Sequence, residues 1–381
     1  MNDVDRMVRR LMSRRSMVRR GAMAGGALAL AGLGAPRGTF ARQDATPVAV
    51  DTSNMDALIA GAQQENKIVS YGMPDYWANL GEMWSTFQEK YGIAEHEDAD
   101  LSSAQEIAKF LAEAENPIGD IGDIGIQFAP TAVQFGVAAP FKNDTWDQIP
   151  DWAKHPDGLW AVQYYGNLAF LVNTDLVETV PRSFADLLGA EFENSVSISD
   201  PRGAAQGNFT VFAAAFANGG DETNVQPGLD YFKQVSEVGN LKATSPDLQN
   251  FQRGETVIGV LWDYLALEFK DTLEGQVNLE IVIPEDASIV GPYASIINTY
   301  APHPNAARLM RNFILSPEGQ VLYAKGYATP ILPGIEIPAD IQAKRPSPEA
   351  YASVRTITDW NQAAVGFTTI ADNWATYVLG Q

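Results

Sequence analysis

Trp160-Ala161-Val162-Gln163-Tyr164-Tyr165-Gly166-Asn167-Leu168-Ala169-Phe170-Leu171-Val172-Asn173 is the stretch on which the fold turns. Its run of aromatic and aliphatic residues reads as one long strand. On both sides of it helical and strand patterns alternate, the signature of α/β layers. Upstream, Met55–Glu65 has a helix pattern and leads straight into a short strand, Lys67–Tyr71. Trp84, Phe87 and Tyr91 recur at three to four residues, the buried stripe of a following helix. Ser102 and Ser103 precede a periodic run over 107–114 and are candidate N-caps. Gly119-Asp120-Ile121-Gly122-Asp123-Ile124-Gly125-Ile126 reads as a strand closely approached by other backbone. Its glycines lack the spacing and helix context of a dinucleotide fingerprint. Downstream, the pattern predicts a helix over 183–188, a strand over 195–199 and a turn at Asp200-Pro201-Arg202-Gly203. A small-residue helix over 206–217 and a buried strand over 256–262 come next. A strand pair over 279–284 and 293–299 follows, then a helix over 306–315 that stops at Ser316-Pro317-Glu318-Gly319.

The amino terminus carries an address. Ser13-Arg14-Arg15-Ser16-Met17-Val18-Arg19 is followed by a weakly apolar run over 21–33 and a small-residue exit at Thr39-Phe40-Ala41. A basic region, a short apolar region and a small-residue end make a removable export signal over 1–41. The apolar run is too short and glycine-rich to remain as a membrane anchor. Arg14 and Arg15 make it resemble a twin-arginine leader, with Met17 where that motif usually has Phe. The expected route is the twin-arginine translocon, and residues 42–53 read as a linker.

Without residues 1–41 the chain keeps 340 residues, with 18 basic and 45 acidic side chains and a formal charge of −27. Such a surface repels phosphate backbones and anionic headgroups, which argues against nucleic acid and membrane-surface partners. It draws in cations, although solubility alone also accounts for it. Cysteine is absent, so disulfides, thiol nucleophiles, cysteine-ligated metals and a lipid-modified cysteine are excluded. The mature protein is therefore expected to be soluble, on the outer side of the cytoplasmic membrane and without a lipid anchor. G-x-S-x-G, H-E-x-x-H, P-loop and S-x-x-K motifs are missing, so the expectation is a binder without cofactor and not an enzyme. His96, His155 and His303 are scattered and form no metal-ligand spacing.

Leu171-Val172-Asn173-Thr174, Ser199-Asp200-Pro201, Pro302-His303-Pro304-Asn305-Ala306-Ala307 and Leu315-Ser316-Pro317-Glu318-Gly319-Gln320 form an ordered set behind the leader. In that order they resemble the extracellular solute-binding proteins of ABC importers. The nearest branch holds ferric-iron, polyamine, thiamine and phosphonate binders. The resemblance covers essentially the whole chain after the leader. It implies an α/β, type II-like periplasmic-binding-protein fold, two discontinuous lobes joined by two crossover strands. The crossovers would fall near 162–166 and 289–294, giving lobe one as 54–161 plus 289–330 and lobe two as 162–288 plus 331–381. It further implies a monomer that closes about its hinge on a small solute and presents the closed form to a membrane permease. A sensor that reports the ligand to a membrane receptor would use the same fold.

Ligands of open α/β sheets sit beyond the carboxyl ends of strands, at helix N-termini. Tyr71, Tyr76 and Trp77 follow the first strand and either face a ligand or pack locally. Ser103 offers a hydroxyl to a ligand or to its own helix, and Asp123 a carboxylate to the cleft or to a turn. Tyr165, on the expected crossover, joins the candidates. Asp200, Gly203, Gln206 and Asn208 lie on a strand-to-helix turn whose N–H groups suit an oxygen-rich ligand or serve a tight turn. In ferric-binding relatives the corresponding turn handles an anion. Trp262-Asp263-Tyr264 stands where those relatives carry adjacent tyrosines, and only Tyr264 matches. That weakens iron, and leaves Asp263, Tyr264 and Tyr293 as an alternative oxygen site. Trp262 and Asp263 suit an organic cation, through the indole face and a neutralising carboxylate. Polyamine-binding relatives place a tryptophan at about Trp262, and a zwitterion with amine and phosphonate ends would satisfy both Asp263 and the Gly203 turn. The expected solute is small and charged, polyamine-like or amino-phosphonate-like.

Overall fold

The computed structural model describes residues 54–381; the leader at 1–41 and the linker at 42–53 lie outside the described residues. Its strands are β1 (Lys67–Tyr71), β2 (Glu95–Ala99), β3 (Ile121–Gly125), β4 (Trp160–Asn173), β5 (Val196–Ile198) and β6 (Leu241–Lys242). They continue with β7 (Ile258–Trp262), β8 (Leu279–Val282), β9 (Ser288–Ile297), β10 (Thr329–Pro330) and β11 (Val354–Arg355).

Helices separate the first strands, as parallel pairing requires. The helix Met55–Glu65 starts where the Asn54 side chain accepts the Asp56 N–H, and it ends at Asn66 in the left-handed region. Leu80–Tyr91 buries Leu80, Met83, Trp84 and Phe87 on one face. Ser103–Ala112 opens with a capping box between Ser102 and Gln105. These helices cover a parallel sheet ordered β2-β1-β3.

β9 runs antiparallel to β3 from Ile121↔Ile297 to Gly125↔Tyr293, and on its other side pairs with β4 from Trp160↔Ile296 to Asn167↔Val290. Past Asn167, β4 changes partners. Leu168 to Val172 pair with β7 and Phe170 to Asn173 with β8, while β7 continues to β5 and β5 to β6. β4 and β9 thus connect one sheet with its helices, the first lobe, to a second sheet with its helices, the second lobe. At the passage they pair with each other through Tyr165↔Pro292 and Gly166↔Gly291. Both glycines are demanded by overlying rings. A Cβ on Gly166 would stand 2.5 Å from the Tyr264 ring, and one on Gly291 only 1.8 Å from the Trp262 indole.

Two sequence expectations are corrected. Residues 183–188 hold only the single turn Asp186–Leu188, because the Asp186 carboxylate accepts the Arg182 and Ser183 N–H groups and Gly189 ends the turn. Six residues do not repay helix nucleation. The segments 279–284 and 293–299 are not a pair: β8 and β9 each pair with β4. Apolar pattern identifies a strand without identifying its neighbour.

One buried cation fastens the first lobe. Arg311, on the helix Pro304–Ile314, is wholly buried and donates to the carbonyls of Gly158 at 2.9 Å and Ser295 at 2.8 Å. Burial lowers its pKa to about 9. In the second lobe the helix Ala205–Ala217 is buried from Ala205 to Phe216, which requires cover on more than one side. The helix Trp360–Asn373 supplies part of it, with Phe367 packed 5.0 Å from Phe209 and 4.8 Å from Phe212.

Candidate ligand cleft

The carboxyl ends of β1, β2, β3 and β5 converge where the two lobes meet. Between them lies a cavity of about 210 Å³, with Tyr76, Trp77, Ser103 and Asp123 from one lobe and Ser199 and Gln206 from the other. The two lobes approach each other beside it. A Cβ on Gly125 would stand 2.5 Å from the Ala205 Cβ, and one on Gly203 would stand 3.7 Å from the Ser102 Oγ.

The first-lobe wall is acidic. Asp123 is buried, and its carboxylate accepts from Gln163 Nε2 at 2.6 Å and from the Tyr164 hydroxyl at 2.5 Å. Tyr164 in turn accepts from Trp77 Nε1 at 2.6 Å. Burial pushes the Asp123 pKa up to about 7, against the opposing hydrogen bonds of Tyr164 and Gln163. Next to it stands Glu106, which is fully buried, lines the same cavity, and has no side-chain hydrogen-bond partner, the Asp123 backbone N–H being its one nearby donor. Burial pushes Glu106 well above the usual carboxylate range, and the charges of Asp123 and Asp98 add to it. At the rim Tyr76 is half exposed and donates to Asp100 at 2.7 Å.

The second-lobe wall is a helix start. Ala204, the N-cap of Ala205–Ala217, supplies no side-chain cap, so the first-turn N–H groups lack that partner. Gln206 bridges the wall to the strand behind, donating to Ser199 Oγ at 2.9 Å and accepting the Trp262 N–H at 3.2 Å. Across from it Ser103 Oγ accepts the Gly125 N–H at 3.0 Å. Tyr293 lines the cavity from β9, its ring stacked on Tyr164 at 5.5 Å.

Six sequence candidates therefore meet at the cavity: Tyr76, Trp77, Ser103, Asp123, Gln206 and Tyr293. The others lie elsewhere. Tyr71 is in the first-lobe core, its ring 4.8 Å from Phe110 and its hydroxyl donated to Glu113. Trp262 is fully buried, covers Gly291 and donates its indole N–H to the Tyr293 hydroxyl at 3.1 Å, which leaves no open face for a cation. Asp263 is saturated by the N–H and Nδ2 of Asn167, the Tyr264 N–H and the Tyr351 hydroxyl. Tyr264 is buried edge-on against Trp77 and Tyr164. Tyr165 faces a separate groove with Arg345 and Tyr351. Asp200 is engaged by Arg202, and the Asn208 amide donates to the Pro201 and Phe367 carbonyls. Gly203 stands at the rim, opposite Ser102.

Glu106 escaped the sequence reading. Its signal was an acid on the stripe Ser103, Glu106, Ile107, Phe110, where the helix otherwise buries its surface. The cavity around it depends on Gly72 and Gly122, whose hypothetical Cβ atoms would stand 2.4 and 2.6 Å from the Glu106 carboxyl. The histidines carry structure: His96 stacks on Trp84 at 3.6 Å, and His303 pairs with Asp120 at 2.8 Å.

A lobed α/β chain with a polar cavity at the strand ends has recognisable relatives. The family profile described as bacterial extracellular solute-binding protein matches residues 116–363. The chain belongs to that family. Among curated proteins, it is 25% identical over 285 residues to a periplasmic protein of Salmonella typhimurium provisionally named for 2-aminoethylphosphonate binding, covering 70% of this chain and 78% of that one. Among solved structures, the periplasmic binding protein P5PA superposes with a TM-score of 0.68 at 19% identity, covering 82% of this chain and 99% of that one. AfuA of Actinobacillus pleuropneumoniae, solved with fructose-6-phosphate, gives 0.65 at 21% identity, covering 82% and 98%. The fold is thus the two-lobed periplasmic binding fold. The family implies a small solute ligand and an ABC permease as partner, and its compared members are binding proteins. Among the described residues no helix is long and apolar enough to cross a membrane.

Proposed function

We propose that this solute-binding protein captures a small amine-bearing solute, amino-phosphonate-like or polyamine-like, between its lobes and delivers it to an ABC permease. The observation that carries the reading is the pairing of walls across one cavity. Buried Asp123 and Glu106 stand on one side, and the helix start at Ala205 and Gln206 stands on the other. Carboxylates neutralise an ammonium, and helix N–H groups attract an oxyanion. Tyr76 and Trp77 add aromatic surface at the mouth, where a cation gains from ring faces. The similarity to a protein named for 2-aminoethylphosphonate supports the same chemistry. Ligand contacts with both lobes would favour the closed form over the open one. Export by the twin-arginine route and a monomeric state belong to the same reading.

Thermal unfolding with 2-aminoethylphosphonate, putrescine and spermidine tests it. A ligand at a hundred times its Kd stabilises by about 2.7 kcal/mol, which raises the midpoint by a few degrees. The reading expects such a rise with an amine-bearing solute and none with neutral sugars. A response to neutral sugars alone would contradict it.

A further inference from the structure

We infer that Glu106 is the ammonium-binding group of the cavity, with Asp123 as the second charge beside it. The inference rests on the capture reading above and names the group that recognises the solute.

A carboxyl that is fully buried with no side-chain partner and only the Asp123 backbone N–H nearby is costly, because it has given up water for little. Buried acids in folded proteins are normally paired or coordinated. Asp123, a neighbour on the same wall, is satisfied by Tyr164 and Gln163. Glu106 lines the cavity without a side-chain partner. The backbone makes room for it at Gly72 and Gly122, where any side chain would collide with its carboxyl. A pocket shaped around an unpaired acid is a pocket awaiting a donor.

The surrounding charges select the donor's sign. Facing Glu106 are Asp98 and Asp100 at the end of β2, Asp123 on β3 and the phenol of Tyr293 on β9. The second-lobe wall contributes Ser199, Ala204, Ala205 and Gln206, none of them ionisable. An anion held by a protonated Glu106 would sit among carboxylates. A primary ammonium instead brings hydrogen-bond donors and a positive charge to the one group lacking both. Burial without an opposite charge raises the Glu106 pKa well above the usual carboxylate range. An arriving ammonium lowers it again and favours the carboxylate, and a proton held by the carboxyl leaves to solvent.

Calorimetric titration of the parent and Glu106→Gln with 2-aminoethylphosphonate, its amine-free analogue ethylphosphonate, and putrescine tests the assignment. The parent is expected to prefer 2-aminoethylphosphonate to ethylphosphonate by about ten- to a hundred-fold, the range of a charged hydrogen bond. In E106Q that preference collapses towards one, putrescine weakens by a similar factor, and net proton release on binding disappears. The ligand-free variant should melt no lower than the parent, since the amide removes a buried acid without emptying its space. A retained amine preference, an equal loss for both phosphonates, or a lower melting point in E106Q overturns the inference while leaving capture in the cleft intact. A parent that takes neither amine-bearing probe removes the capture reading as well, and the inference with it.

Discussion

Two acids at the cavity wall make the free protein sensitive to pH. Asp123 has a folded-state pKa of about 7, above the ordinary carboxylate value of roughly 4. A raised acid contributes stability that is fully present below its unfolded pKa and lost as pH rises through the folded value. Asp123 therefore predicts that the melting midpoint of the ligand-free protein falls as pH rises from about 4 to about 7. Asp123→Asn should shrink that fall, because the amide cannot ionise and Gln163 has an unpaired Oε1 ready to accept from it. An undiminished fall in the variant would contradict the account of this wall. The same residues show what a sequence conceals. Trp262 and Asp263 have the right chemistry for a cation, yet a strand end that roofs the core reads the same as one that faces a ligand. The difference lies in Gly291 and Asn167, distant in sequence, which claim the indole face and the carboxylate. Glu106 was legible only as an acid on a buried stripe.

At the scale of elements, β4 was readable in length because aromatic and aliphatic residues run unbroken from one lobe into the other. Its partners were not, since pairing is a property of two segments and apolar pattern describes one. The pattern of 279–284 and 293–299 predicts mutual neighbours, whereas β8 and β9 both lie along β4. The passage between lobes is built on the glycine pair Gly166 and Gly291, each under a buried ring. Gly291→Ala should therefore destabilise by overpacking, by about 1 to 3 kcal/mol in urea unfolding. Unchanged stability would mean that Trp262 yields and that the ring does not set the crossover. The helix Ala205–Ala217 connects this passage to the cavity, since Gln206 holds both Ser199 and the Trp262 backbone. Packing at the crossover and geometry at the ligand wall are thus linked through one side chain.

The whole molecule combines a negative surface with a cleft whose charged side chains are acids. The acidic excess of the chain outside 1–41, a formal −27, favours the approach of cations and fades with salt. Ordered short motifs pointed to the family and the two-lobed fold, because strand ends, turns and helix starts recur in fixed sequence along the chain. The leader on which the address rests lies outside the described residues. The cleft's occupied state decides the central claim, that an amine-bearing solute is held between the lobes. The most direct measurement is a crystal structure with the amine-bearing probe that raises the melting midpoint most. The account predicts density in the cavity, with the ammonium against Glu106 and Asp123 and the remainder reaching Ser199, Ala205 or Gln206 of the other lobe. A probe seated on one lobe alone, or in the groove beside Tyr165 and Arg345, would contradict it.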